Sequence, residues 1–278
     1  MGTSQKAACV IGWPIKHSRS PLIHKYWMRQ HGIDADYRRE AVEPEKLGDF
    51  IAHLSSNGYV GANVTLPHKE AVLQLADPDS RALSVGAANT LFFRSGRLCA
   101  TNTDVEGFVA NLDVEASGWD SELETAVVLG AGGGARAVIY GLIERKVERI
   151  VLVNRTIEKA AKLASVFGDR VQPTAWSDLP RAMRSARLLV NTTSLGMTGQ
   201  PPLEIDLAPL ASDAAVSDIV YSPLETPLLA AAKARGLKTA DGLGMLLYQA
   251  VRGFSLWFGV KPEVTAELRA LVERDLVN

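Results

Sequence analysis

Short apolar runs alternate with longer amphipathic ones in the first quarter of the chain. The strand-like runs are AACVIG, ADYRREAV and GANVTLP, and the helix-like runs between them are SPLIHKYWMRQHG and PEKLGDFIAHLSSNG. β-Branched residues favour strands, whereas apolar residues spaced three and four apart favour helices. The order strand–helix–strand–helix–strand predicts an α/β layer.

A second series of the same kind begins at Thr125. Its segments are TAVVLGAG, GARAVIYGLIERK, RIVLVNR, TIEKAAKLASVFG, RLLVNTT and AAVSDIVY. The strands are apolar throughout, as parallel strands buried on both faces require. The polar stretch 111–125 predicts a loop between the two series. An apolar helix from about Gly242 and an amphipathic helix after Pro262 follow, and their pattern alone does not decide which series they join.

Length and composition narrow the function classes. At about 150 residues per domain, 278 residues predict two domains. The 47% of hydrophobic residues excludes disorder as the main state, and 30 basic against 31 acidic residues leave a net charge of -1. A nucleic-acid partner is not expected, because it requires a strongly basic face. Without a signal peptide or an apolar run of about 18 residues, we expect a cytoplasmic protein with no membrane partner.

Cysteine and histidine give no metal signal. Cys9 and Cys99 lack the spacing of a metal knuckle or a disulfide framework, which fits a reducing compartment. His17, His24 and His68 lack metal-ligand spacing and are interpreted as surface or supporting residues. No metal is therefore assigned.

The most specific local signal is the glycine loop in AVVLGAGGGARA. Gly130, Gly132 and Ala135 have GxGxxA spacing between a predicted strand and a predicted helix. Glycine at the first two positions permits a tight turn and lets a pyrophosphate approach the N–H groups of the helix N-terminus. A small third residue lets helix and strand pack closely. The alternative is a tight turn with no ligand.

The residues after the next strand indicate the type of dinucleotide. Asn154, Arg155 and Thr156 stand where an NAD-binding unit usually carries an acidic residue for the ribose 2′-hydroxyl. No carboxylate there repels a 2′-phosphate, and a guanidinium with neutral donors can bind one. The sequence predicts NADP rather than NAD. The alternatives are an exposed strand-end charge for Arg155 and a helix cap for Thr156.

Lys69 and Asp104 are the candidate catalytic pair. Proline is favoured at the start of helices, so we expect a helix from Pro67 with Lys69 in its first turn, where the helix dipole disfavours a cation. Reduction of a ketone by a nicotinamide requires a group that protonates or stabilises the developing alkoxide. A lysine can do either, and a carboxylate can hold it. For Asp104 the alternative is complementation of its own helix dipole.

Polar side chains also follow successive apolar strands in the first half. Their joint placement predicts a pocket for a small polyol or hydroxy acid. Taken singly, Ser20 is open to interpretation as a helix cap, and the asparagines as ordinary turn residues. The set comprises Ser18, Ser20, Asn63, Thr65 and Asn89, together with Gln249, an amide on an otherwise apolar helix.

Eight motifs in order resemble the shikimate dehydrogenase family. They are HSRSP, NVTLPHK, GAANT, NTD, GAGGGAR, NRT, NTTSLGM and DGLGMLLYQA, and they span residues 17 to 250. The resemblance implies NADPH-dependent reduction of 3-dehydroshikimate to shikimate, a step of the chorismate and aromatic amino-acid pathway. It also implies an N-terminal α/β substrate domain (1–104 and 243–278), with C-terminal helices that return to it, and a Rossmann-like NADP-binding domain (105–242).

The resemblance assigns roles to residues that stand in matching motifs. Lys69 and Asp104 match the catalytic pair. Ser18 and Ser20 match the hydroxyls that bind the substrate carboxylate. The matches for the ring hydroxyls are Thr65, Asn89, Asp104 and Gln249, with Tyr221 in a further substrate motif. The matches for the cofactor are Gly130, Gly132, Gly133, Ala135, Asn154, Arg155, Thr156, Thr192 and Gly242.

Two other functions remain open. A quinate/shikimate or aminoshikimate dehydrogenase would differ in its substrate or cofactor, and the Ser18 hydroxyl accommodates quinate as well. A non-catalytic NADP-binding regulator would be expected to lack Lys69 or Asp104, and both are present. We expect a monomer or a homodimer.

Overall fold

The computed structural model describes residues 6–277. Contacts between Cα atoms divide the chain into two compact units. The first unit extends to Thr103 and takes in Gln249–Asp275, and the second comprises Asp104–Tyr248. The division of roles expected from the sequence, substrate in one unit and cofactor in the other, stays a prediction at this point.

The first unit is built on a six-stranded mixed sheet with strand order β2-β1-β3-β5-β6-β4. Strand β1 pairs in parallel with β2 and β3, as the strand–helix alternation predicted, whereas β5 is antiparallel to β3 and to β6. The antiparallel β5–β6 hairpin was not predicted. The strands are β1 (Ala7–Gly12), β2 (Asp36–Ala41), β3 (Tyr59–Val64), β4 (Asp77–Pro78), β5 (Thr90–Arg94) and β6 (Arg97–Thr101).

Short helices connect these strands. Ile23, Trp27 and Met28 lie on one face of α1 and are buried, so the predicted amphipathic helix packs its apolar side inward. Two segments in which the sequence predicted α-helix, Pro44–Lys46 and Ala71–Gln74, are 3₁₀ helices instead. The α-helices are α1 (Ser20–Gln30), α2 (Leu47–Ala52) and α3 (Ser80–Val85).

The second unit is a doubly wound parallel sheet with strand order β12-β11-β10-β7-β8-β9. All its strand pairs are parallel, and the order reverses between β7 and β10, which is where such sheets bind ligands. The strands are β7 (Thr125–Leu129), β8 (Arg149–Asn154), β9 (Val171–Ala175), β10 (Leu188–Asn191), β11 (Ala215–Asp218) and β12 (Lys238–Ala240). The helices are α4 (Asp104–Glu115), α5 (Gly133–Glu144), α6 (Ile157–Phe167), α7 (Leu179–Met183) and α8 (Pro227–Ala234).

Strand β7 shows why the strands of this sheet are continuous apolar runs. Ala126 and Val128 belong to one buried cluster, whereas Val127 and Leu129 belong to the cluster on the opposite face. Alternate residues of a strand point to opposite faces, so both faces of the sheet must be apolar. The predicted Rossmann-like architecture is confirmed.

The C-terminal helices are α9 (Gly242–Phe258) and α10 (Ala266–Val277). Gln249–Asp275 group with the first unit, whereas the start of α9, up to Tyr248, groups with the second, so the return to the first unit begins six residues later than the expected Leu243. Trp257 Nε1 donates to Leu91 O at 2.8 Å, and a Cβ on Gly61 would lie 2.1 Å from the Trp257 indole nitrogen. The glycine on β3 therefore lets the α9 tryptophan pack directly on the sheet.

Candidate active site

The glycine loop follows β7 as the sequence predicted. Gly130 has φ +98°, and its N–H donates to Val153 O at 2.8 Å. A Cβ at this position would lie 2.8 Å from Thr193 Cγ2. Both the positive φ and the close approach therefore require glycine.

The N-terminus of α5 has the shape and polarity of an anion site. Gly132 is the N-cap residue and supplies no side-chain hydrogen bond to the helix, and a Cβ on Gly132 or Gly133 would meet nothing within 4 Å. The first N–H groups of a helix need partners, and the helix dipole favours a negative charge there. Ala135 is fully buried, so a small residue does let α5 pack on the sheet. The residues present fit a dinucleotide pyrophosphate.

Gly134 has a role that sequence analysis missed. A Cβ on it would lie 2.6 Å from Ile219 Cδ1, so the glycine admits the segment after β11. The same segment constrains Gly242, the first residue of α9, where a Cβ would lie 2.3 Å from Ile219 O. The run of three glycines in the sequence could have suggested such an approach.

The NRT segment forms the end of β8 and the start of α6. Asn154 Nδ2 donates to Thr156 O at 2.8 Å, and the Arg155 side chain is exposed. Thr156 occupies the N-cap position of α6, but its side chain makes no hydrogen bond to the helix. The hydroxyl therefore does not cap the helix in the way the alternative interpretation required. Lys159, which sequence analysis did not single out, adds an exposed cation in the first turn of α6.

The ends of β10 and β11 are held together by buried polar groups. Asp218 accepts from Asn191 Nδ2 at 2.9 Å, from Val220 N at 3.0 Å and from Thr226 Oγ1 at 2.8 Å. Burial raises the pKa of Asp218 to about 6, against the opposing effect of these donors. Thr192 Oγ1 donates to Leu129 O at 2.7 Å. Tyr221, half-buried, follows β11.

In the first unit, Ser18 lies between β1 and α1, and Ser20 is the first residue of α1. The Arg39 guanidinium donates twice to Ser18 O, from Nε at 2.9 Å and from Nη2 at 2.7 Å. Arg19 is the N-cap residue of α1, and Ser20 is buried as its first residue. The interpretation of Ser20 as a helix cap is therefore wrong, and its amide instead donates to Ser18 Oγ at 3.3 Å.

The helix expected from Pro67 is absent. Residues 66–70 form turns, and a 3₁₀ helix begins only at Ala71. The carbonyl of Lys69, which would accept from Leu73 N in an α-helix, accepts instead from Ala88 N at 2.8 Å. The helix-dipole argument for Lys69 is therefore wrong. The same hydrogen bond ties the half-buried Lys69 to the segment that leads into Asn89.

Thr65 lies beside this turn, directly after β3. Its N–H donates to Ile11 O at 2.9 Å, and its side chain is half-buried. A Cβ on Gly12 would lie 2.6 Å from Thr65 Cγ2. The glycine that ends β1 therefore admits the threonine.

Asn89 joins residues that are distant in sequence. Its Nδ2 donates to Gln249 Oε1 at 3.3 Å and to Thr103 Oγ1 at 3.0 Å, while its Oδ1 accepts from Thr103 N at 2.7 Å. All three residues are buried. Asp104, also buried, follows Thr103 directly and begins α4. The structure thus brings together Asn89 and Gln249, two of the residues chosen from the sequence.

Two of the three histidines singled out in the sequence are buried. His24 is fully buried, and burial lowers its pKa to about 3, so the ring is neutral. His68 is also buried, and its Nε2 lies 2.7 Å from Val42 O. Burial excludes the surface alternative for both, and their role as supporting residues stays a prediction, whereas His17 is exposed. Among residues 6–277, no cluster of three or more His, Cys, Asp or Glu is placed to hold a metal ion.

Asn63 lies in the interior. Its Oδ1 accepts from Tyr37 Oη at 2.6 Å, and its Nδ2 donates to Thr90 Oγ1 at 3.2 Å. Tyr37, Thr90 and Thr103 were not selected from the sequence, because nothing local marks them as members of one network.

Over the described part of the chain, no helix is long and apolar enough to cross a membrane.

Three family models match consecutive parts of the chain. The model described as "Shikimate dehydrogenase substrate binding domain" matches residues 10–91. "Shikimate / quinate 5-dehydrogenase" matches residues 115–197, and "Shikimate 5'-dehydrogenase C-terminal domain" matches residues 242–271.

Whole-chain comparisons agree with these models. The chain is 65% identical over 276 residues to shikimate dehydrogenase (NADP(+)) of Rhodopseudomonas palustris strain TIE-1, covering 99% of each chain. It is similar in structure to quinate dehydrogenase from Corynebacterium glutamicum in complex with NAD, with a TM-score of 0.89, 31% identity and coverage of 96% and 98%. It is also similar to shikimate 5-dehydrogenase from Thermus thermophilus in complex with NADP(H) and shikimate, with a TM-score of 0.84, 35% identity and coverage of 98% and 99%.

Proposed function

Because the chain belongs to the shikimate dehydrogenase family, we propose that it catalyses the reversible, NADPH-dependent reduction of 3-dehydroshikimate to shikimate. The step belongs to the chorismate and aromatic amino-acid pathway. The relative at 65% identity carries that activity in its name. The proposal also extends to the division of roles between the units: the first unit carries the substrate residues other than Asp104 and Tyr221, and the second unit binds the cofactor.

The buried Asn89–Gln249 pair is the observation that carries the proposal. Two uncharged amides, 160 positions apart, meet at 3.3 Å in the interior beside Thr103. Burying amides is costly unless they are hydrogen-bonded, so a core built only for stability would favour apolar residues at these positions. Convergent amides and hydroxyls suit a ligand that carries several hydroxyl groups.

Each end of the substrate is assigned its own residues. The Ser18 and Ser20 hydroxyls bind the carboxylate, and Arg39 holds the Ser18 backbone through its two hydrogen bonds. The residues assigned to the ring hydroxyls are Thr65, Asn89, Asp104 and Gln249, and Tyr221 is assigned to the substrate as well.

Lys69 and Asp104 are assigned the chemistry. When bound, NADPH supplies the hydride that converts the carbonyl carbon of 3-dehydroshikimate to an alcohol carbon. The Lys69 ammonium donates a proton to the oxygen of that carbonyl as negative charge develops on it, which leaves the neutral amine and the product hydroxyl. Asp104 accepts a hydrogen bond from a substrate hydroxyl and so orients the ring. In the oxidative direction the neutral amine takes the hydroxyl proton.

The second unit provides a cradle that fits NADP. Gly130 makes the tight turn, Gly132 and Gly133 leave open space for the pyrophosphate, and the N–H groups at the start of α5 would donate to it. The residues assigned to the remaining contacts are Ala135, Asn154, Arg155, Thr156, Thr192 and Gly242. Exposed Arg155 and Thr156 supply a cation and a donor for the 2′-phosphate.

Use of quinate with NAD is the second candidate function. The similarity in structure to a quinate dehydrogenase in complex with NAD favours it. Arg155 and Thr156 argue for NADP, because a 2′-phosphate pairs with a guanidinium and NAD lacks that group. The higher identity to an NADP(+) shikimate dehydrogenase agrees with this choice.

Initial rates test the proposal directly. Purified protein is assayed by nicotinamide absorbance with shikimate or quinate, each with NADP or NAD. We expect turnover to be fastest with shikimate and NADP. Comparable rates with quinate and NAD would replace the proposal with the second candidate. NADP binding without turnover of any substrate would favour a non-catalytic regulator.

Location and assembly are part of the same proposal. We place the protein in the cytoplasm as a monomer or a homodimer. Light scattering coupled to size-exclusion chromatography distinguishes the two states, and a mass above that of a dimer would contradict both.

A further inference from the structure

Tyr37 on β2 lies at the centre of a buried polar network in the first unit. Its side chain is 1% exposed, and its ring stacks on His24 with centroids 4.2 Å apart and an angle of 9° between the ring planes. Phe254 and Trp257 of α9 lie around the same histidine. The aromatic contacts fix the Tyr37 ring, so the direction of its hydroxyl is fixed as well.

The Tyr37 hydroxyl connects two segments of the candidate substrate site. It donates to Asn63 Oδ1 at 2.6 Å, and an amide oxygen can only accept. The Ser20 hydroxyl lies close to the same phenol. Burial keeps the pKa of Tyr37 well above its ordinary value, so the phenol keeps its proton and remains a donor.

Asn63 continues the network toward the other end of the site. Since its oxygen is held by Tyr37, its Nδ2 points toward Asn89 O at 3.3 Å and Thr90 Oγ1 at 3.2 Å. Thr90 Oγ1 in turn donates to Asn89 Oδ1 at 3.1 Å, and Asn89 Nδ2 donates to Gln249 Oε1. The chain of hydrogen bonds therefore runs from Tyr37, beside Ser20, to Gln249 through buried residues.

We propose that Tyr37 is a positioning residue for substrate recognition. Its hydroxyl sets the position of Ser20 at the carboxylate end and, through Asn63 and Thr90, the orientation of the Asn89 amide at the hydroxyl end. This inference rests on the proposed function, because it takes shikimate as the ligand of both ends. It gives one buried phenol control over two groups of substrate contacts.

Tyr37→Phe tests the proposal, because the change keeps the stacked ring and removes only the hydroxyl. Tyr59→Phe is the matched control: Tyr59 on β3 is buried, and its hydroxyl bonds Glu40 instead of the network. We expect the KM for shikimate to rise about tenfold in Tyr37→Phe, the scale of one lost buried hydrogen bond. The kcat and the KM for NADP should stay within about threefold, and Tyr59→Phe should leave both KM values unchanged.

A double-mutant cycle separates positioning from general destabilisation. If Tyr37 acts through Ser20, the combined Ser20→Ala and Tyr37→Phe variant raises the KM for shikimate less than the product of the single effects. Multiplicative effects in the cycle would contradict that link. Loss of melting temperature with an unchanged KM would assign Tyr37 a structural role only.

Thr90→Val keeps the proposal testable if Tyr37→Phe does not fold. The change is nearly isosteric and removes the link from Asn63 Nδ2 through Thr90 Oγ1 to the Asn89 amide oxygen, leaving only the contact with the Asn89 backbone, so it should also raise the KM for shikimate. An unchanged KM in every folded variant overturns the inference while the proposed function stands. A wild-type protein that does not turn over shikimate overturns both.

Discussion

The two units present their candidate ligand groups in different ways. In the second unit the key features belong to the backbone, namely the Gly130 turn and the N–H groups at the start of α5. In the first unit they are side chains, and Asn89 and Gln249 are oriented by one another and by buried neighbours. A backbone cradle recognises a phosphate common to many cofactors, whereas a side-chain network can match one particular set of hydroxyls.

The two units also differ in one carboxylate each: Asp36 is ion-paired and half-buried, whereas Asp218 is buried and forms no ion pair among the described residues. Asp36 in the first unit is bonded to Lys25 and Arg38, each at 2.9 Å, which lowers its pKa to about 2. Asp218 in the second unit is buried among neutral donors, and its pKa is raised to about 6. The first carboxylate forms ion pairs, whereas the second ties together the loops after β10 and β11.

Removing the Lys69 amine should have the largest effect. Lys69→Ala should lower kcat by about 10²- to 10⁴-fold, the range for loss of a general acid, while NADP still binds. Lys46→Ala, which removes an exposed lysine paired with Glu43, is the control and should keep full activity. Turnover of Lys69→Ala within tenfold of wild type would exclude Lys69 as the proton donor.

A methyl group in the cradle should weaken cofactor binding next most strongly. Gly132→Ala meets no protein atom within 4 Å, so the variant should fold normally, yet its Cβ would occupy space assigned to the pyrophosphate. A clash of about 1–3 kcal/mol predicts a rise of about 10- to 100-fold in the KM for NADP.

Gly48→Ala is the matched control for that variant. Gly48 lies on α2 of the first unit with the same open space around it. Both variants are followed by thermal melting and by the KM for NADP, and Gly48→Ala should change neither adversely. Normal cofactor binding by Gly132→Ala would show that the pyrophosphate lies elsewhere.

Arg155→Gln should change the choice of cofactor about tenfold. A charge-assisted hydrogen bond to a 2′-phosphate is worth about 1.5–3 kcal/mol, whereas NAD has no such group to lose. The ratio of kcat/KM for NADP to that for NAD is measured in Arg155→Gln and in Lys162→Gln, an exposed cation further along α6. Equal ratios in the two variants would remove Arg155 from the cofactor site.

The Asp218 carboxylate should produce a smaller, pH-dependent effect. Its folded-state pKa of about 6 lies above the ordinary value of 3.8, so the folded protein binds the proton more tightly. Its contribution to the free energy of unfolding is therefore present at low pH and lost as pH rises from about 4 to about 6. Because the amide does not titrate, the melting temperature of Asp218→Asn relative to that of wild type should rise by a few degrees between about pH 4 and about pH 6, at about 2–4 °C per kcal/mol. A difference independent of pH would contradict the raised pKa.

Local pattern sufficed to predict much of the second unit. The apolar runs, the GxGxxA spacing and the missing carboxylate at 154–156 are all properties of short segments. What local pattern missed there depends on distant residues: Gly134 accommodates Ile219, and Asp218 binds Asn191 and Thr226.

In the first unit the pattern predicted less. The first three strands and α1 follow from periodicity, but the turn at Lys69 does not, because Ala88 takes the carbonyl that a helix would use. The network of Tyr37, Asn63 and Thr90 joins three strands, and only the folded sheet brings those side chains together. Polar residues after apolar strands and on an apolar helix indicated Asn89 and Gln249 as site residues, and the resemblance agreed, whereas their direct contact appeared only in the structure.

The separation of substrate and cofactor recognition is tested most directly by the two KM values of Gln249→Leu. The change removes one hydrogen-bond partner of the Asn89 amide and keeps a side chain of similar size on α9. We predict that the KM for shikimate rises about tenfold while the KM for NADP stays within twofold of wild type. A KM for shikimate equal to that of wild type, or a matching rise in the KM for NADP, would contradict the assignment of substrate recognition to the first unit.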